Sequence, residues 1–371
     1  MWFRTLILMT TISAVILTAQ ASSLTVHPVT GTPSVVASPF RSEGRVQITT
    51  NDGKAVYRSQ WPGVYFKTSF TGSAVYFEIG HGDAIYHVLV DDRAVSKLVK
   101  PAPGLYVIDG LAAGRHTARV EVASENQAGP IDFGGFFTGV NTQGEQPKAL
   151  ERKIEFIGDS HTVGYGNTSS TRECTDAEVW LKTDTSQAFG PLTASHYHAD
   201  YRINAISGRG VVRNYNGFLA DTLPQAYPFV LFDKKETAVD SNWRPQVVVI
   251  SLGTNDFSTA LNPGEKWKTR DDLYTDYEKT YVAFVRRLRV KYPSTFFVLA
   301  ATDMSDGEIQ KEVRKVIAQL NAAGAKRVAF AAFNHLEFTA CNFHPSLADD
   351  KKMAQSIIDV IDAQPGVWTQ K

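Results

Sequence analysis

The hydrophobic rhythm of this chain changes once, near Pro147, and no single fold satisfies both halves. From about Leu24 to Gly139 apolar and polar residues alternate in short runs: RVQITT, GVYFKTSF, SAVYFEIG, AIYHVLVDD, GLYVIDG, HTARVEVASE and IDFGGFFTG. Val, Tyr, Phe and Thr dominate these runs and Gly or Asp separates them, which is the pattern of antiparallel strands buried on one face. No stretch there carries a helical period. The first part is therefore expected to be an antiparallel β-sandwich over residues 24–147, jelly-roll-like in its pairing.

After the polar segment NTQGEQPKALERK the runs become continuous and apolar, and they alternate with amphipathic stretches. KIEFIG, YRINAIS, PQVVVISLG, TFFVLAAT and RVAFAAF read as strands buried on both faces. Between and after them, DDLYTDYEKTYVAFVRRLRVKYP, DGEIQKEVRKVIAQLNAAG and LADDKKMAQSIIDVIDAQ each carry one apolar stripe, and SQAFGPLTASHYHA also reads as a helix. Strand and helix in alternation predict an α/β/α three-layer domain with a mainly parallel sheet over residues 148–371.

The N-terminus bounds the cellular setting. One arginine, an apolar run from Leu6 to Leu17 and then Ala19-Gln20-Ala21 have the layout of an export signal over residues 1–21. The alternative is an uncleaved anchor, for which the run is short. Export predicts a secreted or periplasmic protein that leaves the membrane once the signal is cut. Lys plus Arg and Asp plus Glu both number 38. No net field then draws the chain to nucleic acid or an anionic bilayer, and a neutral or weakly charged substrate fits better. Composition does not address the oligomeric state.

Ligand sites on open parallel sheets lie beyond the carboxyl ends of the strands. The residues standing there are Gly158-Asp159-Ser160-His161, Ser207-Gly208-Arg209-Gly210, Leu252-Gly253-Thr254-Asn255-Asp256 and Cys341-Asn342-Phe343-His344-Pro345. Together they supply the parts for acyl transfer. His344 would take the proton of Ser160, and backbone N–H groups at Ser160 and Gly208 with the Asn255 amide would face an oxyanion. Each motif alone also reads as an ordinary cap or turn; their joint occurrence in order favours chemistry. No cofactor or metal is expected. The Gly208 turn has Arg213 where a dinucleotide fingerprint needs its third glycine, and the Gly158 loop lacks a P-loop ending. His196 and His198, two residues apart, would face different sides of a helix.

With these residues in view, GDSHTVGYG, ISGRG, LGTND and FHPS, the second half resembles the SGNH (GDSL-type) hydrolases. With WPGVYFKTSFTGSAVYFEI ahead of it, the whole is similar to carbohydrate esterase family two. The resemblance implies a serine esterase that removes acetyl groups from plant cell-wall polysaccharides such as xylan or glucomannan. Ser160 would be its nucleophile, His344 its base, and Gly208 and Asn255 its oxyanion donors. Asp256, Arg209, Tyr165, Tyr215, Trp267 and Phe343 are candidates for touching an acetylated oligo- or polysaccharide. Two other readings stand beside this one. One is an esterase or lipase for another ester, such as O-acetyl peptidoglycan; the other is a non-catalytic carbohydrate-binding protein with a relic hydrolase domain.

One departure from the family pattern matters. The aspartate usually found three residues before the histidine is Cys341 here, and the position two before it is Asn342. A Ser-His dyad with a backbone carbonyl on the histidine is the favoured arrangement; the Asn342 amide oxygen or a distant Asp349 or Asp350 are the alternatives. Cys174 and Cys341 are the two cysteines of the chain. Bonded, they would pin the loop of the base to the loop of the nucleophile; otherwise they are two separate thiols.

Overall fold

The computed structural model describes residues 24–239 and 242–369; the export signal read at 1–21 lies outside them. Thirteen strands come first: β1 (Thr25–Pro28), β2 (Val35–Ser38), β3 (Phe40–Glu43), β4 (Val46–Asn51), β5 (Lys54–Ser59), β6 (Tyr65–Thr71), β7 (Val75–Ile79), β8 (Ile85–Val90), β9 (Arg93–Val99), β10 (Gly104–Asp109), β11 (Arg115–Val122), β12 (Ile131–Gly139) and β13 (Gln143–Glu145). They form two antiparallel sheets, one in the order β1-β10-β7-β12-β5-β4 and the other in the order β13-β6-β11-β8-β9. Strand β2 joins the first sheet beside β12, and β3 joins the second beside β6. Between them the inward residues interdigitate, with Phe66 stacked on Phe133 at 4.1 Å and Phe77, Phe136 and Val120 buried around that pair.

Six strands go beyond the seven runs expected, β5 and β9 among them. Each closes a hairpin across a two-residue turn, Asp52-Gly53 before β5 and Asp91-Asp92 before β9, with all four residues at positive φ. Much of β9 faces solvent, so burial imposes no clear alternation on its sequence.

The second part builds one parallel sheet from β14 (Arg152–Gly158), β15 (Ala199–Ala205), β16 (Val247–Ser251), β17 (Phe296–Thr302) and β18 (Val328–Phe333), in the order β15-β14-β16-β17-β18. Every residue of β16 and β17 is buried, which is why their sequences carry no alternation. The helices are α1 (Ser160–Val163), α2 (Asp176–Lys182), α3 (Phe189–His196), α4 (Leu223–Ala226), α5 (Thr254–Phe257), α6 (Arg270–Lys291), α7 (Glu308–Ala322) and α8 (Leu347–Asp362). One face of the sheet is covered by α6 and α7, the other by α3 and α8. This is the expected sandwich followed by an α/β/α layer. The sheet's order reverses at β14, whose neighbours on its two sides are β15 and β16, and in open α/β sheets that point is where a ligand site is expected, beyond the strand's carboxyl end. No helix among the described residues is long and apolar enough to cross a membrane.

The sandwich caps the β15 edge of this sheet. Trp61 and Tyr65, from the sandwich side, enter the two hydrophobic layers of the α/β domain. Tyr65 donates its hydroxyl to Asp200 at 2.8 Å, and Tyr201 donates to Glu121. Arg119 lies over the Tyr65 ring at 3.7 Å, reaches Tyr201 Oη at 2.6 Å and pairs with Glu121 at 3.0 Å. The Glu121 side chain is only 4% exposed, so its charge depends on Arg119 rather than on water. Arg119→Met is therefore expected to cost about 3 kcal/mol of unfolding free energy, read by chemical denaturation. A change below about 0.5 kcal/mol would place this contact among ordinary surface pairs.

Candidate active site

Strand β14 ends on Gly158, where an added Cβ would sit 1.9 Å from Thr162 Oγ1 and 2.9 Å from the Ser251 carbonyl. Glycine is the residue that fits. Asp159 then caps α1 by accepting the His161 N–H at 3.1 Å, which puts Ser160 at the first helical position, 5% exposed, just beyond the end of β14. Its hydroxyl has a partner 184 residues away: Ser160 Oγ lies 2.9 Å from His344 Nε2.

His344 Nδ1 faces the backbone carbonyls of Cys341 and Asn342, each at 3.1 Å. Carbonyls only accept, so Nδ1 carries the proton and the Nε2 lone pair is left toward Ser160. Two carbonyls can converge because Asn342 and Phe343 both hold left-handed backbone, φ 51° and 60°, which for residues with a Cβ costs about 1 kcal/mol each. The Asn342 side chain is elsewhere, donating to Tyr165 Oη at 3.3 Å, and the Tyr165 ring lies on His344 with centroids 4.2 Å apart. Of the three arrangements open on sequence, the geometry is that of the backbone carbonyl. The distant aspartates have other partners. Asp349 accepts from the N–H groups of Glu337, Phe338 and Ser346 and completes the capping box of α8, while Asp350 accepts from Asn167 Nδ2 at 2.9 Å and Phe189 N at 3.0 Å.

Covalent and polar ties hold this strained turn. Cys174 and Cys341 form a disulfide, with Cα atoms 5.4 Å apart across 167 positions of sequence. The Asn342 N–H donates to Arg172 O at 2.6 Å, and the Arg172 guanidinium donates to the carbonyls of Phe338 and Glu337 at 2.8 and 2.9 Å. Cys341 also packs so closely on Gly166 that a Cβ there would come within 2.5 Å of its own. Phe343 lies exposed beneath the same guanidinium, 4.7 Å from ring centre to Cζ.

The other two strand ends converge on one another. Gly208 stands at φ 81° after β15, and a Cβ there would press on the Phe218 ring at 3.1 Å. Asn255 is buried in the first turn after β16; its Nδ2 donates to Arg209 O at 2.9 Å and stands 3.3 Å from Asp159 Oδ2. The turns after β14, β15 and β16 are thus tied together through this amide. Asp256 differs from the expected sugar contact. It is fully buried and accepts three backbone N–H groups, from Val211, Val212 and Arg213 at 2.8 to 2.9 Å, so it shapes the Gly208 loop from beneath. Arg209 is half-buried, bonded to Asp221 O at 3.0 Å, with its guanidinium over Phe218 at 5.0 Å. Trp267 turns to α6, donating to Asp276 at 3.1 Å. Tyr215 is exposed and donates its N–H to Gly208 O at 2.9 Å. Phe218 was not foreseen: no strand end or motif marks it.

Burial dominates the electrostatics. Desolvation brings His344 down to about 4 despite its two carbonyl bonds, and brings neighbouring His161 down to about 3, with His344 adding repulsion. Asp159 is pushed up to about 7 by burial, a rise to which the nearby Asp256 charge adds. The site therefore favours neutral groups.

A parallel sheet with a serine, a glycine turn, an amide and an imidazole at four strand ends defines an ester hydrolase of the GDSL class. Residues 154–357 match the GDSL-like lipase/acylhydrolase family model, and residues 42–147 match the N-terminal model of carbohydrate esterase 2. The chain is 42% identical over 332 residues to an acetylxylan esterase/glucomannan deacetylase of Cellvibrio japonicus, covering 89% of this chain and 92% of that protein. A solved carbohydrate esterase, described as having an active site with divergent catalytic and non-catalytic binding functions, superposes with a TM-score of 0.85 at 40% identity, over 90% of this chain and 100% of that one. A family two carbohydrate esterase from Clostridium thermocellum, solved with cellohexaose, gives 0.76 at 26% identity over 90% and 100%. The protein belongs to carbohydrate esterase family 2.

Removing the disulfide should loosen the His344 turn and widen the unfolded ensemble. The Cys174→Ser, Cys341→Ser double variant is expected to lose about 3 kcal/mol of stability, measured by denaturation under non-reducing conditions. Thiol labelling of the native wild-type protein should find no free cysteine, and two labelled thiols would contradict the bond.

Proposed function

We propose that this protein is an exported serine esterase that removes O-acetyl groups from a plant cell-wall polysaccharide such as xylan or glucomannan. The observation that carries the reading is the 2.9 Å contact between Ser160 Oγ and His344 Nε2, with Nδ1 already committed to carbonyls. The acetyl-polysaccharide substrate is supported by the Cellvibrio japonicus relative, which acts as an acetylxylan esterase/glucomannan deacetylase. Residues 1–21 would serve as the export signal, 24–147 as the sandwich and 148–371 as the catalytic domain.

In the first half-reaction His344 Nε2 takes the Ser160 hydroxyl proton as Oγ bonds to the acetyl carbonyl carbon. The oxyanion is met by the N–H groups of Ser160 and Gly208 and by Asn255 Nδ2. One hydrogen of that amide is held by Arg209 O at 2.9 Å, and the oxyanion competes with the longer 3.3 Å contact to Asp159 for the other. The ester C–O bond then breaks, the imidazolium returns the proton to the departing sugar oxygen, and acetyl stays on Ser160. Water repeats the steps: His344 takes one of its protons, its oxygen bonds to the acetyl carbon, and acetic acid leaves with the other proton as the first returns to Ser160. Among the described residues no carboxylate hydrogen-bonds to the imidazole. Carbonyl dipoles stabilise the imidazolium in part, but burial outweighs them and brings the pKa down to about 4.

The decisive test compares wild type with Ser160→Ala on 4-nitrophenyl acetate and on acetylated xylan and glucomannan. Acetate release by wild type alone is expected, and equal rates in both would defeat the hydrolase reading. Asn255→Ala should lower kcat about a hundredfold; an unchanged kcat would mean that Asn255 only shapes its turn.

The pH profile follows from His344. The base is active when neutral, so kcat/KM should hold down to the region of pH 4 and fall below it, rather than bending near the ordinary histidine value of 6.5. The folded-state pKa is depressed, so the stability His344 contributes is present above pH 6.5 and is lost as pH falls toward about 4. An acid limb centred near 6.5 would show an imidazole better stabilised as a cation than this geometry provides.

A further inference from the structure

Glu125 belongs to the sandwich, in the loop that follows β11, yet its carboxylate reaches the turn after β15. Glu125 Oε1 accepts the Ser207 N–H at 2.7 Å, and Arg209 exerts an electrostatic pull on the same carboxylate. Two residues on, Gln127 Nε2 donates to the Ser207 carbonyl at 3.3 Å and to Glu125 Oε1 at 3.0 Å. The Ser207 carbonyl and the Gly208 N–H are opposite ends of one planar trans peptide, so fixing the carbonyl fixes where the N–H points. The two sandwich side chains thus hold both peptide groups of Ser207, and the second of these carries the N–H assigned to the oxyanion.

The loop that presents them is itself anchored. Ser124 Oγ accepts the Ile85 N–H at 3.0 Å and donates to Asn126 Oδ1 at 2.9 Å, Asn126 Nδ2 donates to Asp83 O, and the Ala123 N–H donates to Ile85 O at 2.8 Å. On its other side the Glu125 carbonyl accepts the indole N–H of Trp180 at 3.2 Å. Trp180 lies on α2, the helix that begins just after Cys174, so one residue of the sandwich links the disulfide-bearing loop to the glycine turn. The same loop and Trp180 line a cleft of about 590 Å³ that reaches Tyr165, the residue stacked on His344.

We propose that Glu125 and Gln127 of the sandwich are positioning residues that aim the Gly208 N–H at the oxyanion, so that the sandwich completes the active site. The proposal rests on the esterase reading above. Glycine at 208 needs this help. It holds left-handed backbone with no side chain to wedge it, and a peptide free to rotate would spend much of its time turned away from the oxyanion. Burial raises the Glu125 pKa while the Ser207 and Gln127 hydrogen bonds oppose the rise, as they should in a carboxylate kept for its acceptor oxygen.

The experiment measures kcat, KM and thermal stability of Glu125→Ala, Glu125→Gln and Gln127→Ala with 4-nitrophenyl acetate, an ester too small to need a glycan subsite. Glu125→Ala is expected to lower kcat about tenfold, less than loss of a whole oxyanion donor, with KM within twofold of wild type. Glu125→Gln keeps an acceptor oxygen for Ser207 and should recover most of that loss. The Gln127 side chain is exposed, so Gln127→Ala should fold normally and still lose severalfold in kcat. A drop in melting temperature with kcat per folded enzyme unchanged, or a loss confined to KM, would overturn the proposal. Inactivity of Ser160→Ala, measured alongside, keeps that failure distinct from failure of the esterase reading.

Discussion

The Nδ1 of His344 is held by main-chain carbonyls, and the backbone of the turn before it is shaped accordingly. A carboxylate could swing to meet a histidine; a carbonyl can be aimed only by setting φ and ψ. Asn342 and Phe343 are therefore held in left-handed backbone, and the strain is offset by the disulfide at Cys341, the Arg172 ties and the capped start of α8 only two residues beyond His344. Asp349 joins in without approaching the ring: its carboxylate gathers the N–H groups of Glu337, Phe338 and Ser346, which brackets the histidine loop from both ends.

A base held by neutral dipoles in a largely buried site has a different electrostatic character from one paired with a carboxylate. Among the described residues no carboxylate hydrogen-bonds to His344, and its neighbour His161 is also held neutral by burial. Asp159, beside Asn255, is pushed toward neutrality for the same reason. A crevice with few fixed charges matches a substrate without charge, an acetylated sugar, whose only transient charge is the oxyanion itself.

Much of this was legible along the chain. Continuous apolar runs marked β14 to β18, because strands buried on both faces leave no room for polar positions. The four strand ends were readable because an open parallel sheet gathers its carboxyl ends at one rim, so Ser160, Gly208, Asn255 and His344 were placed by topology before any distance was known. Less legible were β5 and β9, where the sequence carries little alternation, and the work of Asp256. An acidic residue beside Asn255 reads as a surface group, yet it is buried beneath three backbone N–H groups of another loop. Trp267 stood out as an aromatic near a motif, but its partner is Asp276, nine residues along the same stretch.

The sequence by itself determined the two hydrophobic periods, hence a sandwich and a layered α/β sheet, and the order of the chemical groups around one rim. Those are local properties, written in which positions are apolar and where glycine is required. Only the tertiary structure decided what holds the histidine, since a carbonyl acceptor exists at every residue and its direction depends on dihedral angles set by remote ties. It also decided that Glu125, in a different domain and 82 positions away, touches the glycine turn. Contacts between domains leave no periodic trace in sequence, because a single polar side chain at an interface is indistinguishable from one facing water.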